Sequence, residues 1–327
     1  MQGPVLILGA GGFIGRHMTA GLSAAGLRVI AGMRRRPGQP LGQPLGQQLG
    51  QQPERTEFRQ VDAADEGSLS RALDGVGAVV NCVAADPAAM VAATRALAKA
   101  AGRRRIVHLS SMAVYGSATG LVGEDAPLTP EGAYGEAKAE SERLLAALPG
   151  PVIMLRPGCV HGPGSEGWTA RPARLLRAGR LGDLGPDGDG VCNLTSAADL
   201  VAATTAALRL PGAPAGAMAL NLSDPAPGDW NAYFLALALA TGATPLRRLP
   251  GWQLKAEKLA AYPLKVMEIS AGKARLRTPD PIPPSLLRLF RQDITLDHRR
   301  ADAALGFART PPAQAISEAA HWFLREG

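Results

Sequence analysis

Short apolar runs alternate with helical spacing through the first half of the chain. Residues 5–8, 28–31, 58–61, 78–83, 106–109 and 152–155 read as strands, and most of them are mainly apolar, as strands buried on both faces of a sheet are. Between them, residues 13–25, 68–73, 88–101 and 134–148 carry the three-to-four-residue period of helices. This alternation predicts a parallel sheet joined by crossover helices over residues 1–160. Beyond Pro157 the rhythm is irregular, with helical spacing over 168–179, 199–208 and 230–241 and a strand-like run over 218–222. The tail holds two helical stretches separated by Thr310-Pro311-Pro312. Residues 161–327 are therefore expected to form a smaller, helix-rich lobe, with some elements returning to the sheet.

One segment departs from this pattern. Residues 37–53 read PGQPLGQPLGQQLGQQP, a four-residue near-repeat too polar and too rich in Gly and Pro to build a core. It is expected to be a flexible surface loop following the second strand.

Composition narrows the class. Of 327 residues, 46% are apolar and 19% charged, as in an ordinary globular chain. The net charge of +7 comes from scattered arginines, without the basic run or interleaved aromatics of a nucleic-acid surface, so no nucleic-acid partner is expected. Cys82, Cys159 and Cys192 are far apart and lack metal-site spacing, so they read as buried thiols and no metal is expected. No run approaches the ~20 apolar residues of a membrane span, and no leader is visible, so the cytoplasm is the expected location.

Candidate chemistry begins at the first strand-to-helix turn, Gly9-Ala10-Gly11-Gly12-Phe13-Ile14-Gly15. Glycine at 9 permits the tight turn, at 12 lets a diphosphate approach the backbone, and at 15 lets the helix pack closely. The helix N-terminus then faces the anion, which predicts a Rossmann-type, doubly wound dinucleotide fold. An acid ending the second strand would accept from the ribose hydroxyls of NAD. Here Arg34 and Arg35 stand there instead and favour the 2′-phosphate of NADP. Asp62, with Ala63, ends the third strand near the adenine, and Cys82, Val83 and Ala84 follow the fourth on the ribose side.

Tyr134 and Lys138 are four residues apart and so share one helix face, where the ammonium can lower the phenol pKa toward a working value. Ser111 ends the fifth strand, at the edge where such sheets bind ligands, and its hydroxyl can donate to a substrate oxygen.

Together these motifs resemble the extended short-chain dehydrogenases/reductases, the NAD-dependent epimerase/dehydratase type. The likeness runs through GAGGFIG, VDAAD, VVNCVAA, VHLSSMAVYG and YGEAK, and more loosely through LRPGCVHGPG, NLTSAADLVAA and ALGF. It implies that Ser111, Tyr134 and Lys138 are catalytic, that Lys138 also holds the nicotinamide ribose, and that the chain forms a homodimer. Ser111, Met112, Cys159 and His161 fall where the family meets substrate. Three departures limit that substrate. Met112 and Ala113 replace the Asp-Glu pair of dehydratases, Cys159 replaces an Asn and His161 a Tyr, and the arginine expected near Gly188-Asp189-Gly190 is absent. The expected activity is therefore NADP-dependent hydride transfer to or from a small carbonyl or alcohol. The alternatives are a sugar or nucleotide-sugar epimerase that recycles its cofactor, and a non-catalytic NADP sensor.

Two further sets of residues keep two readings each. His161 is either a substrate acid/base or a turn histidine bonded to backbone. The arginines at 171, 174, 177 and 180 share a helical spacing, and either meet an anionic substrate or form a solvated face.

Overall fold

A computed structural model describes residues 3–34, 56–212, 216–253, 256–257, 259 and 282–327. Arg35 and the 37–53 repeat lie outside these residues. The chain divides into two compact units: Met1–Val160, Leu194–Pro225 and Leu296–Pro311 form the first, and His161–Asn193, Ala226–Thr295 and Pro312–Gly327 the second.

In chain order the elements begin β1 (Val5–Leu8), α1 (Phe13–Ala24), β2 (Val29–Met33), β3 (Thr56–Gln60), α2 (Glu66–Ala72), β4 (Ala78–Asn81), α3 (Pro87–Ala100) and β5 (Arg105–Leu109). They continue with β6 (Gly120–Val122), α4 (Gly132–Ala146), β7 (Pro151–Pro157), β8 (Cys159–His161), α5 (Arg171–Arg177), β9 (Leu194–Ser196), α6 (Ala197–Arg209) and β10 (Gly216–Leu222). The last are α7 (Trp230–Thr241), α8 (Pro284–Leu289), β11 (Ile294–Leu296), α9 (Arg299–Leu305) and α10 (Pro312–Glu326).

The first unit holds a seven-stranded parallel sheet in the order β3-β2-β1-β4-β5-β7-β10. Alternate residues of each strand serve opposite faces, as strand geometry requires. Val5 and Ile7 pack with Met18 and Leu22 of α1 and Leu200 of α6, while Leu6 and Leu8 pack with Leu69 of α2 and Leu97 of α3. Helices thus cover both faces, and the strand order reverses beside β1, which opens a crevice at the carboxyl ends of β1 and β4.

Local side chains decide where several elements start and stop. Asp65, Asp86 and Ser196 cap α2, α3 and α6 by accepting from Ser68, Ala89 and Asp199 N–H groups. β4 was expected to reach residue 83 but ends at Asn81, whose Oδ1 takes the Val83 N–H at 3.2 Å and turns the chain out of the sheet. β2 and β3 extend further than their apolar runs because they pair in register from Val29 opposite Thr56 to Met33 opposite Gln60.

The second unit has an aromatic core. Trp230 is 1% exposed and packs against Trp168, Tyr233, Phe234 and Phe290. The helix expected over 168–179 is two pieces, a π turn at Glu166–Ala170 followed by α5, because both Thr169 and Ala170 N–H groups return to the Ser165 carbonyl.

Candidate active site

The turn after β1 is tight and built on glycine. Gly9 has φ +77°, and a Cβ there would come within 2.8 Å of the Cys82 carbonyl oxygen. At Gly15 a Cβ would fall 2.1 Å from the Gly9 oxygen and 2.7 Å from Ala10 Cα, so this glycine closes the helix onto the turn itself. Gly12 caps α1 in extended conformation with no side-chain cap, and the first turn holds no acid, so the positive end of the helix meets no side-chain anion of its own. Phe13 and Ile14 start the helix and pack on the sheet core. We expect Gly15→Ala to weaken dinucleotide binding by roughly tenfold or more, about 1.4 kcal/mol, measured by cofactor titration of the folded variant.

The other candidate cofactor residues lie at the same sheet edge. Arg34 is exposed just past β2, and its carbonyl accepts from Gln60. Met33, ending β2, has its sulfur 4.0 Å from where a Gly11 Cβ would stand. Asp62 is exposed beyond β3 and bonds the Ala64 N–H at 3.1 Å, with half-buried Ala63 beside it. Cys82, Val83 and Ala84 follow β4.

Ser111, Tyr134 and Lys138 come together at that edge. Ser111 follows β5 and caps a short 3-10 turn, Met112–Tyr115, accepting from the Ala113 N–H at 3.2 Å. Tyr134 is half exposed on the first turns of α4. Desolvation pushes its phenol above the usual tyrosine range, against a hydrogen bond with the Ser111 side chain. Lys138 is buried and donates from Nζ to the Leu109 carbonyl at 2.6 Å, with Nζ 5.8 Å from the Tyr134 ring centre. Burial lowers this ammonium to about 8. The expected depression of the phenol by Lys138 is therefore not what this geometry produces. The ammonium addresses a backbone carbonyl, and the phenol stays protonated at neutral pH.

Cys159, beyond β7, is buried, and burial keeps its thiol protonated. Met112 is buried in the turn that Ser111 caps. His161 belongs to the second unit. It is 1% exposed, stands edge-on to Tyr233, and neither ring nitrogen has a hydrogen-bond partner, so the expected backbone bond is absent. Burial holds it down to about 4.

This has a consequence for acid stability. The unfolded chain takes up a proton near pH 6.5 and the fold does not until about 4, so stability falls as pH drops through that window. His161→Tyr should lose about 2–3 kcal/mol less than the parent between pH 7 and pH 4.5, read from denaturant unfolding at both values. Equal losses would show that the imidazole is not buried neutral.

Of the arginines on the helical spacing, Arg174 pairs with Glu166 and Arg180 with Glu257. Asp183, Asp187 and Asp189 are engaged by Arg248, Arg291 and Asn231. Among the described residues no group of three or more His, Cys, Asp or Glu could hold a metal, and no helix is long and apolar enough to cross a membrane.

Residues 5–222, the span that holds the glycine turn, the serine and the Tyr134–Lys138 pair, match the NAD dependent epimerase/dehydratase family. The chain belongs to it. That family is one of NAD-dependent epimerases and dehydratases. It is 30% identical over 277 residues to the 3-diazoavenalumate denitrifying reductase of a Streptomyces species, covering 75% of this chain and 84% of that protein. It is 33% identical over 142 residues to the YeeZ protein of Escherichia coli K12, covering 43% of this chain and spanning about half, 47%, of that relative's length. Its fold is similar to that of MoeE5 in complex with UDP-glucose and NAD, with a TM-score of 0.69, 24% identity and 99% of each chain covered.

Sequence reasoning did not single out the residues around this family site that carry a buried polar network. Arg156, Glu142, Tyr115 and Asn221 are all buried and bonded in series, from the Glu142 carboxylate through Arg156 and the Tyr115 hydroxyl to Asn221 Oδ1. The available signal was a charge inside an apolar strand run, VIMLRP, which requires a buried partner.

Proposed function

We propose that this chain is a cytoplasmic, NADP-dependent reductase or dehydrogenase acting on a carbonyl or alcohol of a small organic substrate, and that it works as a homodimer. The observation that supports this reading is a protonated Tyr134 phenol beside the Ser111 hydroxyl, at the same sheet edge as the glycine cradle. A bound nicotinamide supplies or takes the hydride. Ser111 donates to the substrate oxygen and fixes the carbonyl. Tyr134 delivers its phenolic proton to that oxygen as it becomes an alcohol, and takes it back in the reverse direction. Lys138 would hold the nicotinamide ribose beside Tyr134. Gly9, Gly12, Phe13, Ile14 and Gly15 seat the diphosphate, Asp62 and Ala63 flank the adenine, and Cys82, Val83 and Ala84 flank the ribose. Met112, Cys159 and His161 stand at the family positions that would meet substrate.

Reduction is preferred over sugar-nucleotide epimerisation because Cys159 offers no amide to a diphosphate-linked substrate. The 30% identity to a reductase points the same way. The test is a panel of carbonyl compounds incubated with NADPH and followed by loss of its absorbance. Stoichiometric NADPH consumption supports the reading; turnover of a UDP-sugar without net consumption overturns it in favour of the epimerase.

Cofactor choice is a separate expectation. Met33 offers no acceptor to a ribose 2′-hydroxyl, whereas Arg34 can pair with a 2′-phosphate through charge-assisted bonds of about 1.5–3 kcal/mol each before solvent losses, which are large at an exposed site. NADP(H) should bind more tightly than NAD(H), and replacing Arg34 and Arg35 by Ala should narrow the gap. Equal titration midpoints in the parent would mean that these arginines only face water.

A further inference from the structure

Glu142 stands two turns beyond Tyr134 and one beyond Lys138 on α4, and it is 3% exposed. Its carboxylate has three donors: Arg156 Nε at 2.9 Å, Arg156 Nη2 at 2.6 Å and the Ser110 hydroxyl at 2.5 Å. Ser110 directly precedes Ser111, and its N–H is fixed by the Leu155 carbonyl of β7 at 2.8 Å. Arg156 turns its remaining Nη1 to the Tyr115 hydroxyl at 2.7 Å and the Glu124 carbonyl at 2.9 Å, and Tyr115 ends the 3-10 turn that Ser111 caps. From the helix that presents Tyr134 and Lys138, one carboxylate therefore holds the segment that presents Ser111 directly at Ser110 and, through Arg156, at Tyr115.

The same carboxylate has an electrostatic partner. Lys138 is faced by Cys82 from beyond β4, by His108 from β5, and by Tyr134 and Glu142 from its own helix. Burial works against the ammonium, while Cys82 and Glu142 act in its favour. Cys82 is itself pushed up to about 12 by burial, so its thiol is neutral at working pH. Burial also keeps the His108 ring neutral and the Tyr134 phenol protonated. Among these facing groups, Glu142 is the carboxylate.

We infer that Glu142 is a positioning residue for the reaction: it clamps the turn carrying Ser111 against the helix carrying Tyr134 and Lys138, and supplies the negative charge that Lys138 faces. Its effect on turnover rests on the reading of those three residues as the reacting site. Its effect on Lys138 does not.

The experiment follows the Lys138 side chain by NMR of protein labelled with 13C at lysine Cε, the signal being assigned by its loss in Lys138→Met. In the parent the signal should titrate near 8. In Glu142→Gln the midpoint should fall by about one pH unit or more, a tenfold change in the ratio of charged to neutral amine. Because that variant leaves Arg156 buried without its partner, Glu142→Gln with Arg156→Met is measured alongside; it removes both charges and should show the same downward direction. Ser110→Ala, which keeps the ion pair but frees the turn, should leave the Lys138 midpoint near the parent value. With a substrate from the carbonyl panel, it should lower kcat several-fold with little change in cofactor affinity.

A folded double variant, by circular dichroism and NADPH titration, with an unmoved Lys138 midpoint overturns the electrostatic half. Unchanged kcat in Ser110→Ala overturns the clamp. If no carbonyl substrate is found, the activity reading fails while the Lys138 titration still decides the electrostatic half.

Discussion

Tyr134→Phe should bind NADPH as the parent does and turn over its substrate at least ~10²-fold more slowly, the usual loss when a general acid is removed. The substitution deletes one hydroxyl and keeps the ring near Lys138. Because the Tyr134 phenol is pushed up by desolvation, it is the protonated form that meets substrate at neutral pH, and the ordinary direction at that pH is proton delivery. Rate should therefore hold across the neutral range and fall on the alkaline side, where Lys138 loses its proton near 8. Stopped-flow traces of NADPH oxidation for parent and variant, with cofactor affinity measured separately, check both statements. A variant that turns over at the parent rate removes Tyr134 from the chemistry and leaves Ser111 as the sole candidate donor.

Arg156→Met should destabilise the first unit by about 3–5 kcal/mol, the range seen when one member of a buried ion pair is removed. Arg156 is 4% exposed and Glu142 3%, so the carboxylate left behind keeps only the Ser110 hydroxyl as a donor. Burial works against the charged guanidinium, and Glu142 and the Tyr115 hydroxyl outweigh it. Replacing both members, Glu142→Gln with Arg156→Met, should recover much of the loss, since an apolar and amide pair carries no stranded charge. Denaturant unfolding followed by circular dichroism measures the three proteins. If the single variant is as stable as the parent, the network is an ornament of packing rather than a support.

The sheet was legible because strands buried on both faces must be apolar throughout, and β1, β4 and β5 carry such runs. β3 was harder, being a half-exposed edge strand whose limits come from pairing with β2 rather than from its own sequence. The site was legible where chemistry dictates spacing: a tyrosine and a lysine four apart share a face whatever else surrounds them. Glu142 continues that spacing by four more residues, but only the strand partner across the core reveals that it is buried. His161 misled in the opposite way. A histidine beside Gly162-Pro163-Gly164 suggests a turn with backbone bonds at hand, but it occupies β8 with both nitrogens bare of partners.

The path of the chain has a consequence for how this protein matures. All seven strands of the large sheet have been made once residue 222 has left the ribosome. The face of that sheet served by α1 and α6 is still incomplete, because Ala301 and Leu305 of α9 belong to its core and are synthesised about eighty residues later, after most of the second unit. A nascent chain at that stage carries a finished hydrogen-bond ladder beneath an open apolar seam. Such long-range closure slows folding and leaves sticky surface exposed. Fragments that stop before residue 296 should therefore be the aggregating species, and the protein should depend on helpers during synthesis more than its finished stability suggests.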